Sequence, residues 1–415
     1  MKAIVLGAGL AGITTAYELN RDGWEVTVVD RESGPAMFTS FANAGLFAPG
    51  HSYAWGSPAA PKILLHSLWR HDQALRFKPT SDPALWRWMF KFFGQCTAER
   101  AALNTNRKAR LALYSQEVFH ETLGRHDLHF DGNTGGLIYF YRTRNAFERA
   151  GTRKHILTDA GIHIETLSAD EAAQKDPALE PVKHQISGAL FSEHDESGDA
   201  HLFTHELAKV CKKNGVKFLW NRTIKGFAVT RQAISSLITD KGPLTGDIFV
   251  NALGVYTPHL ARQLEDEVPV YPVKGYSATV PTKGRNNIPK LGGVDEENLI
   301  AYCPMGNRLR ITATAEFSGY DRSHTPKDFA HMLNITRALF PDSADFDQPS
   351  YWAGLRPMTP EGTPIFGKGK CTNLWYVSGL GHMGWTMCHG AGRITADLIA
   401  GKTPAIPLEG MVLGE

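Results

Sequence analysis

The sequence predicts an α/β fold of two domains interleaved along the chain, one of alternating strands and helices and one dominated by antiparallel strands. Three observations predict it. A strand, glycine turn, helix and strand open the 415-residue chain, a second strand, glycine turn and helix close it, and short strands separated by Pro, Gly and Asn fill its middle. Because 42% of the residues are hydrophobic, the chain can bury a large core.

Charge and cysteine content exclude several classes of function. The 44 Lys and Arg side chains against 42 Asp and Glu leave a formal net charge of +2, which provides no overall field to attract nucleic acid. The five cysteines lie far apart and form no C-x-x-C pair, so the sequence predicts neither a disulfide framework nor a zinc site. A reducing, cytoplasmic setting fits this cysteine usage best.

The first element is a β-α-β unit, "KAIVLGAGLAGITTAYELNRDGWEVTVVDRE". Gly7, Gly9 and Gly12 form a G-x-G-x-x-G turn between strand and helix, and Asp30 ends the second strand. These glycines permit the turn, the approach of a pyrophosphate and close helix packing, while the acidic residue accepts from a ribose hydroxyl. The unit therefore predicts dinucleotide binding. A signal peptide, the alternative for a lysine followed by an apolar run, is disfavoured by the glycine spacing.

Two later segments leave alternatives open. Residues 32–83 are rich in Gly, Pro, Ser and Ala, which at this length predicts either a functional or a disordered loop. "DPALWRWMFKFFGQC" then predicts a helix at 84–93 that only Arg87 and Lys91 interrupt. This pattern favours a buried helix with a thin polar stripe. The alternative is a helix that lies at a membrane interface with aromatic anchors. A helix of this length is too short to span a bilayer.

The rest of the chain predicts further helices and strands in turn. The acidic residues Glu193, Asp195, Glu196 and Asp199 lack the spacing of a calcium loop, so we expect capping and solvation, with Asp199 as an N-cap. Strands are expected at 134–143 and 216–220 and between 223 and 240, and an antiparallel sheet at 270–320. Helices are expected at 100–125, 145–160, 199–214, 325–339 and 384–400.

Other catalytic signatures are missing from the sequence. It contains no G-x-S-x-G, H-E-x-x-H or P-loop, which disfavours hydrolase and metal chemistry. His382 and His389 flank the last glycine turn, and we expect them to be local hydrogen bonders rather than acid–base catalysts. Arg356, in "YWAGLRPMTPEGTP", has no neighbouring carboxylate before Glu361, so its partner is either a bound anion or backbone carbonyls.

Taken in order, these motifs resemble one family over essentially the whole chain. The N-terminal unit, "TSFANAG" at 39–45, "YPVKGYS" at 271–277, "GLRPMTPEGTP" at 354–364 and "GLGHMGWTMCHGAG" at 379–392 are similar to the FAD-dependent D-amino acid dehydrogenase small subunit. D-amino acid oxidase, glycine oxidase and sarcosine oxidase belong to the same wider group. The resemblance implies two interleaved domains. They are a Rossmann-like FAD-binding domain at 1–85, 144–262 and 340–415 and a sheet-rich substrate (cap) domain at 86–143 and 263–339.

The resemblance also implies which residues hold FAD. Asp30 would bind the ribose, residues 40–46 would pass along the pyrophosphate and the flavin edge, and residues 381–386 would lie beside the flavin pyrimidine. "NALG" at 251–254 is similar to a strand-end motif in which Leu253 replaces a threonine. The implied cofactor-binding residues are Gly7, Gly9, Ala11, Gly12, Asp30, Arg31, Ser40, Asn43, Ala44, Gly45, Leu46, Ile224, Ala252, Gly254, Gly381, Met383, Gly384, Trp385 and Thr386.

For catalysis, the resemblance implies that Arg356, at the start of a strand facing the flavin, binds the substrate carboxylate through two parallel hydrogen bonds. A tyrosine hydroxyl is expected as a second contact, with Tyr302 and Tyr276 as candidates. Hydride transfer from the neutral amine to flavin N5 needs no side-chain base, and the imino acid product hydrolyses to a 2-oxo acid and ammonia.

The implied electron acceptor is a quinone or another component of the respiratory chain. Such an acceptor would bring the helix at 84–93 to the inner face of the cell membrane, whereas an oxidase would use oxygen. Two other hypotheses stay open: an enzyme for a secondary amino acid, such as D-hydroxyproline, L-proline, glycine or sarcosine, and a non-catalytic flavoprotein subunit. A pyridine-nucleotide reductase is disfavoured, because no second G-x-G-x-x-G occurs in mid-chain.

Overall fold

The computed structural model describes residues 1–67, 75–78 and 80–414. Residues 68–74 and 79, part of the loop expected at 32–83, lie outside the described residues. The strands are β1 (Lys2–Leu6), β2 (Glu25–Val29), β3 (Leu46–Phe47), β4 (Leu75–Phe77), β5 (Leu137–Tyr141), β6 (Glu165–Leu167), β7 (Gly188–Ser192), β8 (Glu196–Ser197), β9 (Lys217–Leu219), β10 (Ile224–Thr230), β11 (Ala233–Thr239), β12 (Ile248–Asn251), β13 (Tyr271–Pro281), β14 (Gly292–Asp295), β15 (Ile300–Met305), β16 (Arg308–Phe317), β17 (Ser350–Met358), β18 (Ile365–Lys368) and β19 (Leu374–Ser378).

The helices follow the same order along the chain. The α-helices are α1 (Leu10–Arg21), α2 (Ala60–Ser67), α3 (Pro83–Gly94), α4 (Ala98–Arg125), α5 (Arg144–Arg153), α6 (His155–Asp159), α7 (Ala169–Lys175), α8 (Ala200–Lys213), α9 (Thr257–Ala261), α10 (Ala330–Leu339) and α11 (Gly384–Ile399). Short 3-10 helices lie at Pro49–His51, Pro177–Gln185, Gly254–Tyr256, Arg262–Leu264, Pro326–Phe329 and Gly381–Met383.

Within the described residues, six strands form a sheet in the order β18-β19-β12-β1-β2-β9. β1 lies parallel to β12 and β2, and β12 parallel to β19, whereas β18 is antiparallel at the edge. Ala3 and Val5 of β1 join one core cluster, and Ile4 and Leu6 join another. Because successive side chains of a strand point to opposite faces, this sheet is covered on both sides, as parallel sheets require.

Nine of the described strands form the second sheet, in the order β17-β13-β16-β15-β14-β5-β7-β6 with β4 paired to β16. One face carries a core that includes Tyr276, Tyr302 and Leu309 and packs against α7, α10 and the 3-10 helix at Pro177–Gln185. The expected antiparallel sheet at 270–320 is confirmed, since β13, β15 and β16 pair antiparallel.

The sheet memberships differ from the expected domain boundaries at several points. β6, β7 and β17 fall in segments assigned to the FAD-binding domain, yet all three belong to the nine-stranded sheet. Conversely, α4 falls in the expected substrate domain, and its Leu111 and Phe119 pack with α1 and α11 in the core of the six-stranded sheet. Local pattern could not reveal these memberships, because strand pairing partners lie far apart in sequence. The division of the chain into two domains stays a prediction.

Helix α3 is amphipathic, in contrast to the buried helix that we favoured from its sequence. Leu85, Trp88, Met89 and Phe92 are buried. On the other side Trp86, Phe90 and Phe93 are 52%, 82% and 46% exposed. An almost wholly apolar sequence therefore forms a helix with an apolar face in contact with water, which is the unusual case.

The acidic segment at 193–199 is only partly as expected. Asp199 caps α8, because its carboxylate accepts from His201 N at 3.0 Å and Leu202 N at 3.3 Å. The expectation that the acidic side chains are solvated is wrong for Asp195 and Glu196, which are 1% and 6% exposed. Asp195 accepts from Gly50 N, and Glu196 accepts from the side-chain amide of Gln116 at 3.0 Å. Their buried charges are stabilised by these donors.

Candidate active site

A cavity of about 500 Å³ is lined by residues from both large sheets. The six-stranded sheet contributes the glycine turn between β1 and α1 and the end of β12. The nine-stranded sheet contributes residues of β13, β16 and β17, and the turn before α11 also lines the cavity. A parallel sheet opens its ligand crevice at the carboxyl ends of its strands, which is where Gly7 and Ala252 stand.

The glycine turn is built so closely that side chains would not fit. Gly7 has φ of +101°, and a Cβ on it would lie 2.8 Å from the carbonyl oxygen of Ala252. A Cβ on Gly12 would collide with the carbonyl oxygen of Gly7. Gly9 is the N-cap of α1 and has no side-chain cap, so amides of the first turn are available to an anionic ligand.

Asp30 stands at the end of β2, beside this turn. Its carboxylate accepts from Ala8 N at 2.6 Å and from Glu32 N at 2.9 Å. Burial raises the pKa of Asp30, and the two backbone donors oppose that rise. Next to it, the guanidinium of Arg31 lies 4.4 Å from the ring centroid of Tyr256. The remaining lone pairs of the carboxylate suit a ribose hydroxyl.

The segment from Ser40 to Ala48 follows the side of the cavity. Ser40 Oγ accepts from Leu10 N at 3.2 Å, which ties the segment to the first turn of α1. Ala48 N donates to Thr386 Oγ at 3.0 Å, which ties it to the first turn of α11. The segment thus joins the two helix N-termini across the cavity.

The turn at Gly381–Met383 leads directly into α11, whose N-cap Met383 has no side-chain cap. Gly384, Trp385 and Thr386 line the cavity. The N-terminus of a 16-residue helix therefore faces the cavity with available amides and the positive end of its dipole.

The cavity brings together the cofactor-binding residues expected from the sequence. All of them line it except Gly12 and Gly45, whose positions lack room for any side chain. A glycine turn that no Cβ would fit, an acidic residue at the next strand end and two uncapped helix N-termini suit the pyrophosphate, ribose and flavin of FAD. The residues present therefore fit this cofactor.

Arg356 lines the same cavity as the glycine turn, and it lies in the second half of β17 rather than at its start. Its Nη1 donates to the carbonyl of Thr314 at 2.9 Å. Burial lowers the pKa of Arg356 to about 10, with no carboxylate contributing. Within the described part of the chain its other nitrogens have no hydrogen-bond partner, so most of the guanidinium is available to an anion.

A bulge in β16 positions the arginine. Thr314 has φ of +69°, and the pairing of β13 with β16 shifts register between Lys274 and Tyr276. Such a bulge re-aims the backbone, and here the Thr314 carbonyl accepts from Arg356. On the neighbouring strand, a Cβ on Gly275 would collide with the guanidinium. Gly275 therefore leaves the space in which the arginine lies.

The tyrosine candidates for a second substrate contact stay a prediction: Tyr276 is among the residues that line the cavity, whereas Tyr302 is not. Strand alternation places Tyr276 and Tyr302 on the face of the sheet opposite Arg356, in the core beneath α10. Tyr276 donates from its hydroxyl to Glu316 at 2.7 Å, and the ring of Tyr302 packs edge-on against Phe340. The motif matches located the strands. The bulge and the strand pairing, which determine the face of the sheet on which each tyrosine lies, could not be derived from those matches.

Several cavity residues went unrecognised in the sequence. Trp55 and Trp352 line the cavity, and the indole of Trp352 covers Gly354. His51 also lines it and pairs with Glu296 at 2.9 Å. His382 stacks on Trp55, with ring centroids 4.9 Å apart, and has no hydrogen bond to any described residue. The expectation that His382 is a local hydrogen bonder is therefore wrong.

Comparisons with known proteins agree with this geometry. Residues 2–398 match the model of the DAO family of FAD-dependent oxidoreductases. The chain is 41% identical over 415 residues to D-amino acid dehydrogenase 2 of Mesorhizobium japonicum, with 100% of both chains covered. It is 39% identical over 412 residues to D-amino acid dehydrogenase of Paramagnetospirillum magneticum, covering 99% of this chain and 98% of the relative.

Two solved structures share the fold. Glycine oxidase from Geobacillus kaustophilus has a TM-score of 0.78 at 20% identity, covering 100% of this chain and 98% of that chain. L-proline dehydrogenase from P. horikoshii has a TM-score of 0.73 at 19% identity, covering 98% of this chain and 95% of that chain. The family model matches 397 residues of the chain, and the fold and the cavity agree with it. The chain therefore belongs to the DAO family of FAD-dependent oxidoreductases.

Proposed function

We propose that the protein is an FAD-dependent D-amino acid dehydrogenase. It oxidises a D-amino acid to the imino acid, which water hydrolyses to a 2-oxo acid and ammonia. The observation that carries the proposal is Arg356, a half-buried cation in the cavity whose charge no described carboxylate balances. The two full-length relatives named D-amino acid dehydrogenase support it.

The residues of the glycine turn would hold the pyrophosphate of FAD, and Asp30 would bind its ribose. Bound FAD supplies the acceptor for the two electrons and the hydrogen that leave the substrate Cα as hydride. The N-terminus of α11 would stabilise the negative charge that arises on the reduced cofactor, because its amides and dipole face the cavity.

Arg356 would bind the carboxylate of the amino acid through two parallel N–H donors, which fixes the orientation of Cα as well as the charge. The Thr314 carbonyl and the space above Gly275 hold the guanidinium in place. Binding also relieves the cost of a half-buried, unbalanced cation, so the substrate carboxylate gains more than it would in water.

In the first experiment, amino acids are added to the purified protein without oxygen, and reduction of the flavin is measured by its absorbance. We expect flavin bands that bleach when D-alanine is added, and no bleaching with L-alanine. Bleaching by L-proline, glycine or sarcosine but by no D-amino acid would overturn the proposal in favour of a secondary-amine enzyme. A flavin that no amino acid reduces would indicate a non-catalytic subunit.

Arg356→Ala tests the carboxylate site directly. We expect FAD to stay bound while kcat/KM for D-alanine loses about 2 to 5 kcal/mol of transition-state binding, as for breaking a buried charge pair. Arg356→Lys is the matched control, since it keeps the charge but not the two parallel donors. Its kcat/KM for D-alanine should lie between those of the wild type and Arg356→Ala. Unchanged turnover in Arg356→Ala would contradict the role of this residue.

We also propose that electrons pass to a membrane quinone and that α3 contacts the membrane surface. The exposed apolar face of α3, formed by Trp86, Phe90 and Phe93, supports this contact, because such a face suits the interfacial region of a bilayer. Among the described residues, no helix combines the length and hydropathy that a bilayer crossing needs. The proposal is therefore a surface contact.

The membrane proposal is tested with the triple variant Trp86→Ser, Phe90→Ser, Phe93→Ser and vesicles of phosphatidylethanolamine and phosphatidylglycerol. We expect the variant to sediment less with vesicles and to lose turnover with vesicle-borne ubiquinone, but not with a water-soluble dye. The matched control replaces two other exposed apolar residues, Val229→Ser and Ile238→Ser on the β10–β11 hairpin. Equal sedimentation of both variants would refute the role of α3.

A further inference from the structure

His382 occupies a position in the cavity that the function described so far leaves without a role. It lies in the turn between β19 and α11, and this turn packs against β17 next to Arg356. A Cβ on the preceding Gly381 would lie 3.2 Å from Met358 Sδ on β17, which shows how closely the turn approaches that strand.

The imidazole of His382 is held in one plane but keeps its nitrogens available. Its ring stacks on Trp55 with centroids 4.9 Å apart and an interplanar angle of 25°. Neither nitrogen has a hydrogen-bond partner among the residues that the structure describes, and the ring is partly buried where it lines the cavity. A polar group in such a setting is expected to meet a partner that the ligand supplies.

Three basic residues face His382 from different elements: Lys108 of α4, His51 of the 3-10 helix at Pro49–His51 and Arg356 of β17. Burial is the main cause that keeps the pKa of His382 well below its usual range, and these basic residues lower it further. The ring is therefore a neutral imidazole, which has one lone pair that can accept a proton or a hydrogen bond.

The substrate has a complementary need at this point. An amino acid binds as a zwitterion, and its ammonium has three donors and no lone pair. One proton must leave the ammonium before hydride can leave Cα, because the nitrogen lone pair forms the new C=N bond. The amino group is attached to the carbon next to the carboxylate, so a carboxylate on Arg356 places the amino group beside that residue.

We propose that His382 binds the substrate amino group and takes up the proton that the ammonium releases. This inference rests on the proposed binding of the carboxylate by Arg356. In the step, an N–H bond of the ammonium breaks and an N–H bond forms on the imidazole. Hydride then leaves Cα with two electrons for the FAD of the holoenzyme, the substrate becomes the iminium, and the imidazolium returns its proton to water.

Substrate binding also affects His382. A carboxylate on Arg356 offsets the positive charge of that residue, which is the smallest of the causes that lower the pKa of His382. When the cavity is empty, the imidazole is uncharged, so it does not repel the incoming ammonium.

The experiment compares two ligands that differ only by the amino group, D-alanine and propionate. In His382→Phe, which retains a ring to stack on Trp55, we expect kcat/KM for D-alanine to fall about 100-fold, as for loss of one general base. The rate should regain most of this loss as pH rises, because alkaline solution deprotonates the amine. The inhibition constant of propionate, and its dissociation constant from the flavin absorbance change, should stay within about twofold.

Two further variants complete the test. His382→Gln keeps a hydrogen-bond acceptor and should recover part of the binding of D-alanine, but not the pH dependence of the wild type. His389→Phe is the matched control, since His389 is a buried histidine that lies seven positions further along and is not part of the cavity lining. It should behave like the wild type with both ligands.

Two results would overturn the inference. One is unchanged turnover of D-alanine in His382→Phe, and the other is an equal loss of D-alanine and propionate binding, which would assign His382 a purely structural role. Failure of the proposed function would look different. In that case the wild type would oxidise no D-amino acid, or Arg356→Ala would still bind propionate.

Discussion

Arg356 illustrates how one side chain can carry a function because its setting is unfavourable. Its pKa is lowered to about 10 by burial, so at neutral pH it remains a cation whose hydration is reduced. Only the Thr314 carbonyl compensates it among the described residues. The free energy that this costs in the empty protein is recovered when an anion binds, which makes the site selective for a carboxylate.

Gly275→Ala is predicted to displace Arg356 without unfolding the protein. The added Cβ would collide with the guanidinium, and the end of a flexible side chain moves more readily than backbone. We expect kcat/KM for D-alanine to fall about tenfold or more, since catalysis depends steeply on placement. Steady-state kinetics with D-alanine measures this.

Ser277→Ala is the control for this prediction. Ser277 lies two residues further along β13, on the same face, and its register partner on β17 is Trp352. Its kinetics should match the wild type. A Gly275→Ala variant with wild-type kinetics would show that the space above Gly275 does not position the arginine.

At the scale of the element, α8 shows how a single cap secures a helix. Asp199 accepts from two amides of the first turn and also faces Arg308 and Arg310, with Arg308 Nη2 at 3.1 Å and Arg310 Nη2 at 3.6 Å. Asp199 and Arg310 are 2% and 5% exposed. The carboxylate therefore acts both as an N-cap and as the counter-ion of a buried arginine.

Replacing Asp199 separates these two contributions. Asp199→Asn keeps an acceptor for the helix amides but loses the charge, while Asp199→Ala loses both. We expect Asp199→Ala to be less stable than Asp199→Asn by about 1 kcal/mol, the usual contribution of an N-cap. Urea unfolding of both variants measures the difference, and equal stability would contradict the capping role.

Helix α3 shows how amphipathicity can hide in an apolar sequence. Its buried and exposed faces are both mainly aromatic or aliphatic, so hydrophobic periodicity did not separate them. Lys91, which interrupts the run, pairs with Glu267 at 2.6 Å, and Arg87 on the same exposed side also lies near that carboxylate.

At the scale of the whole molecule, the two ends of the chain fold against each other. Thr14 of α1 donates to the carbonyl of Cys388 of α11 at 2.8 Å, and Arg393 of α11 pairs with Glu18 of α1 at 2.8 Å. A Cβ on Gly392 would lie 2.8 Å from the backbone of Thr14, so only glycine allows this approach. The two glycine-rich turns at the cavity are held together by this contact.

The pH dependence of folding is predicted from His389, in the same helix. Its ring lies among Phe47, Phe119 and Phe203, and burial lowers its pKa to about 3, with His120 contributing. At pH values between the pKa of His389 in the unfolded chain and its lowered pKa in the folded protein, His389 is protonated in the unfolded chain only. Stability therefore falls as pH drops through this window and is fully retained above it.

His389→Phe removes this acid sensitivity. We expect the free energy of unfolding to fall less between pH 7 and pH 5 in the variant than in the wild type, by about 2 kcal/mol. Urea unfolding at the two pH values measures it, and the other histidines cancel in the comparison. An identical loss in both proteins would show that His389 does not titrate on unfolding.

The features of the protein that depend on local rules were predictable from its sequence. The glycine turn, Asp30 at the next strand end, the antiparallel strands of the middle segment and the final glycine turn and helix are all present, and the family resemblance rested on them. Glycine spacing and strand alternation are set by backbone sterics within a few residues, so they can be read without knowing the partners.

Which side chains contact one another became clear from the packed structure alone. Tyr276 and Tyr302 face the core because of pairing and a bulge at Thr314, whereas His382 and Trp55, far apart in sequence, meet at the cavity beside Arg356. The same holds for the sheet membership of β6, β7 and β17 and for the exposed face of α3. These arrangements depend on contacts between distant segments, because register and burial are properties of the packed whole rather than of any stretch of sequence.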